Sequence, residues 1–268
     1  MIELAALEYH LAHGCNLSCQ QCSHYSNFHL AGSMPTPDDA KAEYEAWNHR
    51  ILPKRFALLG GEPRLNPKLI EHLHLAREYW LRSNLMLVTN GFFFDRHPAL
   101  PETLVQTDCR LEVSQHGTHD AYLEQFRRVK QTVWRWREEY PDLQIKIRQS
   151  HRGWMRQYKV EDGKPIPFDS KPDAAYRVCM QKTCTQLIGG CLAKCPALAY
   201  FNLLEAKLKL HHLPQWQPFR DYQACRPDAS NAEVRRILQT KAIPQCGLCP
   251  SQRTKFVHPN PLKRSVLQ

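Results

Sequence analysis

The chain has 268 residues, 43% of them apolar, and 36 lysines and arginines against 26 aspartates and glutamates give a formal charge of +10. With a mean hydropathy of −0.54, this is the balance of a soluble globular protein, large enough for a barrel-type domain or a barrel fragment with an appendage. Nothing approaches a membrane span, and Met1-Ile2-Glu3-Leu4 lacks the basic start and apolar block of a secretory signal, so no membrane partner and a cytoplasmic location are expected.

In a reducing compartment the 11 cysteines are a metal inventory rather than a disulfide framework, and their odd number fits. The basic balance favours an anionic substrate or partner such as a nucleotide-sugar, a phosphorylated metabolite or nucleic acid. A solvated basic surface explains it equally well, because the charge is not gathered into one stripe.

Residues 4–11 have the pattern of a buried strand feeding the run Cys15-Asn16-Leu17-Ser18-Cys19-Gln20-Gln21-Cys22. Three thiolates on one tight loop can hold three irons of a cubane cluster and leave the fourth open to another ligand. Thr36-Pro37 is an N-cap and first-turn pair for a helix to about Ile51, and Arg55 to Leu59 forms a strand ending at Gly60. Asn66-Pro67 opens a helix with Leu69, Leu73, Leu75 and Trp80 on its apolar face, and Leu85 to Val88 is a third strand. A short helix near 98–106, a strand at 110–114, a long helix from His119 to Tyr140 and a strand at Leu143 to Ile147 follow. Strands alternating with helices predict an α/β fold with a parallel sheet, whose ligands sit at the carboxyl ends of the strands.

Ser150 to Pro172 lacks apolar periodicity and is predicted to be a loop that crosses to a second region or covers the active site. Seven cysteines then crowd between Cys179 and Cys249.

The order of the cysteine run, Gly60-Gly61-Glu62-Pro63, Leu87-Val88-Thr89-Asn90-Gly91 and Leu111-Glu112-Val113-Ser114 resembles the radical S-adenosylmethionine (radical SAM) superfamily over residues 5–150. The resemblance implies a partial (β/α) barrel in which Cys15, Cys19 and Cys22 ligate a 4Fe-4S cluster. It also implies that Gly60, Gly61, Glu62 and Pro63 hold the methionine amino group of S-adenosylmethionine, and that Asn90 and Ser114 meet its ribose. Glycines let backbone approach a ligand closely, and a carboxylate suits an ammonium. One position departs: Gln21 stands where the superfamily usually places an aromatic residue near the adenine.

The C-terminal cysteines resemble the twitch subdomain of radical SAM enzymes, in which a hairpin, a helix and a CxxC hold one auxiliary 4Fe-4S cluster. Cys195, Cys246, Cys249 and either Cys179 or Cys184 are the implied ligands, around a Gly189-Gly190 turn and a helix from Pro196 to Lys209. Cys191 and Cys225 are spares, Cys109 is a buried hydrophobe, and structural zinc is the alternative occupant. The implied organisation is a radical SAM core over 1–150, a connecting or active-site loop over 151–178 and the auxiliary-cluster region over 179–268. Two clusters would lower the charge of +10 to about +7.

The layout is similar to that of 2-deoxy-scyllo-inosamine dehydrogenase. By that resemblance a reduced cluster splits S-adenosylmethionine to a 5'-deoxyadenosyl radical, which takes a hydrogen atom from a hydroxyl-bearing carbon of a small-molecule substrate. Proton loss and electron transfer to the auxiliary cluster then leave a ketone. An external electron donor such as flavodoxin or ferredoxin is implied, and nucleic acid is not expected. Arg148 and Arg152 are candidates for holding the S-adenosylmethionine carboxylate or a substrate oxygen, and His24, Tyr25 and His116 border the site. Peptide modification by the same radical step, or a noncatalytic metal scaffold, are the rival readings.

Overall fold

The computed structural model describes residues 1–30 and 34–262; the last six residues of the expected C-terminal region lie outside them. The chain runs β1 (Ile2–Ala12), α1 (Pro37–Glu45), β2 (Ile51–Gly60), α2 (Leu69–Tyr79), β3 (Asn84–Thr89), α3 (Leu100–Gln106), β4 (Cys109–Ser114), α4 (Asp120–Glu139) and β5 (Ile145–Arg148). These strands lie side by side in the order β5-β4-β3-β2-β1, every neighbouring pair parallel. The expected alternating α/β core is therefore present.

Local chemistry sets the element ends. Thr36 Oγ1 accepts the Asp39 N–H, and the Asp39 carboxylate accepts the Thr36 N–H, with Pro37 in the first turn of α1. The helix stops at Glu45, well short of Ile51, and Trp47 in the following turn donates its indole N–H to Gly190 O at 2.8 Å. β2 starts earlier than Arg55 despite Pro53. There β2 pairs only with β1, and β3 joins from Arg55 onward, so the proline interrupts no ladder on the β3 side.

The helices cover one face of this sheet. On α4, Tyr122, Phe126, Val129, Val133 and Trp136 fall at helical spacing and are all buried. They pack with Leu7, Tyr9, Leu11, Phe56, Leu87, Leu111 and Val113 from the strands. Each such side chain taken from water is worth roughly 1.5–3 kcal/mol before entropy is subtracted. The opposite face carries Glu8, Arg55, Met86 and Glu112 and lines a cavity.

After β5 the predicted loop holds a short antiparallel hairpin, β6 (Lys159–Glu161) and β7 (Lys164–Ile166). Its turn is Asp162-Gly163, at φ 48° and 73°, the two left-handed residues that a tight hairpin demands. Next come α5 (Pro172–Val178), β8 (Thr185–Ile188) and β9 (Cys191–Ala193). β8 pairs parallel with β1, and β9 pairs antiparallel with β8 through Gly189-Gly190, so the sheet continues past residue 178 into the cysteine-rich region. The expected helix from Pro196 to Lys209 is two helices, α6 (Pro196–Ala199) and α7 (Phe201–Leu208). Tyr200, fully buried at the break, stacks on His10 with ring centroids 4.0 Å apart. α8 (Gln217–Arg220) and α9 (Asn231–Gln239) complete the helices, and Phe201, Leu204, Trp216 and Phe219 form a second apolar core.

Candidate active site

The main cavity, about 660 Å³, lies on the inner face of the sheet and beyond its carboxyl ends. Cys15, Cys19 and Cys22 all line it, together with Gly60, Gly61, Asn90, Ser114, Arg148 and His24. The loop that carries the thiols is tightly wound, with Gln21 and Tyr25 both at φ 58°. Left-handed backbone at non-glycine residues persists only where the surroundings enforce it. Here the Gln21 side-chain oxygen accepts the backbone N–H groups of Gln157 (2.6 Å) and Tyr158 (3.1 Å). From the other side Ser18 N–H donates to Pro261 O at 2.7 Å, and Leu17 bridges to Leu262. The departure at Gln21 thus ties the cysteine loop to the segment that follows β5.

The donor set fits a cationic cluster. No disulfide joins the cysteines. Cys15 Sγ accepts the Leu17 N–H at 3.3 Å and lies 3.9 Å from Asn90 Nδ2. Burial pushes the Cys22 thiol up while the N–H groups of His24, Ser26 and Asn27 pull it down. Such N–H donors steady thiolate once a positive centre joins it. Among the described residues no three His, Cys, Asp or Glu side chains converge as tightly as a single metal ion needs. A cubane takes its thiolates on separate irons, and so over a wider spread.

The Gly60–Pro63 segment has a second task. A Cβ on Gly60 would sit 2.3 Å from Ala12 O, and one on Gly61 2.1 Å from Gly14 O, so both glycines let this segment pack under the start of the cysteine loop. The N–H groups of Gly61 and Glu62 donate to Ala12 O and Gly14 O at 2.8 and 2.9 Å. Glu62 is fully buried, and neither it nor Pro63 lines the cavity. Its carboxylate accepts from Thr89 Oγ1 (2.5 Å), Asn90 N (2.8 Å) and Arg64 N (3.2 Å). Burial raises its pKa and the Arg64 charge opposes that. It therefore shapes the end of β3 and holds Asn90, whose amide donates to Asn16 Oδ1 at 2.6 Å.

Of the remaining candidates, Arg148 lines the cavity and pairs with Glu112 at 2.9 Å. His24 also lines it, and burial, with the neighbouring His13 adding, pushes its pKa down to about 4. Tyr25 does not line it: buried, it donates to Ala197 O at 3.3 Å. Arg152 is exposed and stands outside the lining.

A second, smaller cavity of about 60 Å³ gathers Cys179, Cys195, Cys246 and Cys249. Burial pushes Cys195 up to about 12, Cys249 well above the usual thiol range and Cys179 upward, and the charges of neighbouring thiols in this group add to all three. Such a set ionises together only around added positive charge, which a cluster or a metal brings. Cys184 is not among them. It lines the main cavity, and Gln186 Nε2 bridges its backbone oxygen and the Glu8 carboxylate at 2.9 and 2.7 Å. The two cavities share Met155, Gln157, Met180 and Gln181, and Gln181 N–H donates to Cys179 Sγ at 3.3 Å.

Glu8, Arg55 and Glu112 escape a reading based on motifs. Their signal is charge inside strands: a parallel sheet covered on both faces is continuously apolar, so these residues mark a face turned to a cavity.

The radical SAM superfamily description matches residues 9–139. Among solved structures, native anSMEcpe with bound AdoMet is 19% identical with a TM-score of 0.42, over 53% of this chain and 42% of that one. This chain thus spans less than half of that protein's length. BtrN in complex with AdoMet and 2-DOIA is 16% identical with a TM-score of 0.48, over 94% and 98%. SuiB of Streptococcus suis bound to S-adenosylmethionine is 12% identical with a TM-score of 0.36, over 87% and 68%. No curated protein matches.

Proposed function

Residues 9–139 of this chain are a radical SAM domain, and from that premise we propose that the chain oxidises a secondary alcohol of a sugar, cyclitol or nucleotide-linked metabolite in the cytoplasm. The observation that carries this reading is the pairing of an open thiol group with a closed one. Three thiols of one loop, with Cys184 apart from them, line the large cavity, four others surround the small one, and Met155, Gln157, Met180 and Gln181 border both.

Cys15, Cys19 and Cys22 would hold a 4Fe-4S cluster, and Gly60, Gly61, Asn90 and Ser114 would hold S-adenosylmethionine. Bound together, cluster and cofactor supply the hydrogen-abstracting chemistry once an external reductant has delivered an electron. The chain's own residues do the rest. Glu8, Arg55, Glu112 and Arg148 present both charges to the hydroxyls of a polar substrate. Glu8 accepts the hydroxyl proton: Arg148 neutralises Glu112, and burial raises the Glu8 pKa toward that of a useful base. Cys179, Cys195, Cys246 and Cys249 would hold the auxiliary cluster, which would supply an acceptor for the remaining electron.

The test is anaerobic turnover of the reconstituted chain with dithionite and S-adenosylmethionine across polyols, cyclitols and nucleotide-sugars. A product two hydrogen atoms lighter than its substrate, formed with one 5'-deoxyadenosine, is expected. Release of 5'-deoxyadenosine with every such alcohol unchanged, and a peptide altered instead, would reject the substrate class.

A further inference from the structure

Cys184 belongs to neither thiol group by position. It lies just ahead of β8, where that strand closes against β1, and it shares the large cavity with Cys15, Cys19 and Cys22. It sits beside a carboxylate: Gln186 Nε2 donates both to the Cys184 backbone oxygen, at 2.9 Å, and to Glu8, at 2.7 Å. Glu8 is 7% exposed. Arg55 and Arg148 are the cations facing Glu8, and Arg55 Nε is buried without a partner. Burial and the Glu8 charge push the thiol well above its usual range, with Cys195 adding and Arg55 opposing, so Cys184 carries its hydrogen at neutral pH. A thiolate would have none to give.

An S–H bond is weaker than the C–H bond of a carbinol or a methyl group, so a protonated thiol beside a carbon radical passes it a hydrogen atom. We propose that Cys184 is a hydrogen-atom donor to carbon radicals formed in this cavity. The inference rests on the radical SAM reading of the same cavity. In the step the Cys184 S–H bond breaks homolytically, a C–H bond forms at the radical carbon, and the sulfur is left as a thiyl radical. One electron from the low-potential donor that starts each turnover, and one proton from solvent in the open cavity, restore the thiol. A substrate radical thus has two fates, electron loss toward the four-thiol group or hydrogen return from Cys184. Return to the opposite face of the carbon inverts it.

No substrate is needed for the test. The reconstituted chain is incubated anaerobically in D2O with dithionite and S-adenosylmethionine alone, and the 5'-deoxyadenosine is weighed. A solvent-exchanged Cys184 puts one deuterium into it, and Cys184→Ala or Cys184→Ser lowers the deuterated fraction at least fivefold. Both variants keep the wild-type iron content and reduced electron paramagnetic resonance spectrum. An unchanged deuterated fraction in the variants, undeuterated product from wild type, or loss of a cluster on substitution would each overturn the proposal. Absence of 5'-deoxyadenosine from every chain would instead overturn the radical SAM reading beneath it.

Discussion

The two thiol groups are assembled in opposite ways. Cys15, Cys19 and Cys22 come from one loop between β1 and α1 and face a cavity of about 660 Å³. Cys179, Cys195, Cys246 and Cys249 come from the end of α5, the end of the β8–β9 hairpin and a distant turn, and enclose about 60 Å³. The difference teaches that thiol number and free volume run opposite ways: the loop group of three faces the larger space and the dispersed group of four the smaller.

The sharpest way to break this contrast is to remove each group in turn. Replacing Cys15, Cys19 and Cys22 by alanine should bring S-adenosylmethionine cleavage to background, measured as 5'-deoxyadenosine. Replacing Cys246 and Cys249 should leave it within about tenfold of wild type while iron falls from about eight to about four per chain. Equal loss of cleavage in both variants would erase the distinction.

Next in size is the support beneath the open group. Glu62→Ala strips Thr89, Asn90 and Arg64 of a buried carboxylate, and a loss of about 3 kcal/mol in urea unfolding is expected. A loss under about 1 kcal/mol would return Glu62 to a ligand-facing role.

His116 lines the open cavity. Burial, with Arg148, His258 and His151 adding, pushes its pKa down to about 3. The unfolded chain titrates this histidine near 6.5 and takes a proton that the folded chain refuses. The stability this group contributes is present above about pH 6.5 and is lost as pH falls from there toward 3. Between pH 6.5 and 5 the loss should approach about 2 kcal/mol, and His116→Gln should flatten that slope. An unaltered slope would place the ring in water.

The smallest effect concerns the tie between the groups. Gln21→Ala removes the acceptor for two N–H donors, which should cost about 1–2 kcal/mol and speed protease cleavage near residues 154–158. Unchanged cleavage would show that the segment holds itself.

The same contrast explains what could be read from the chain. The open group is local, so Cys15, Cys19 and Cys22 announce themselves by spacing, and the strands behind them by apolar runs ending in Gly60, Asn90 and Ser114. The closed group is set by tertiary folding. Spacing alone leaves Cys179 and Cys184 equivalent, and only the pairing of β8 with β1 turns Cys184 toward Glu8. Glu62 and Gly60-Gly61 match a motif for ligand binding, yet their contacts here run within the chain, which no motif discloses. The 159–166 hairpin had its signal in Asp162-Gly163, hidden by weak strands on either side. The break at Tyr200 follows from a stacking partner, His10, far away in sequence.

A 4Fe-4S cluster on Cys15, Cys19 and Cys22 would leave one iron open to S-adenosylmethionine. The most direct measurement is the electron paramagnetic resonance spectrum of the reduced Cys246→Ala/Cys249→Ala chain, recorded before and after adding S-adenosylmethionine. A single cluster signal that shifts on addition is predicted; a signal indifferent to S-adenosylmethionine would contradict it.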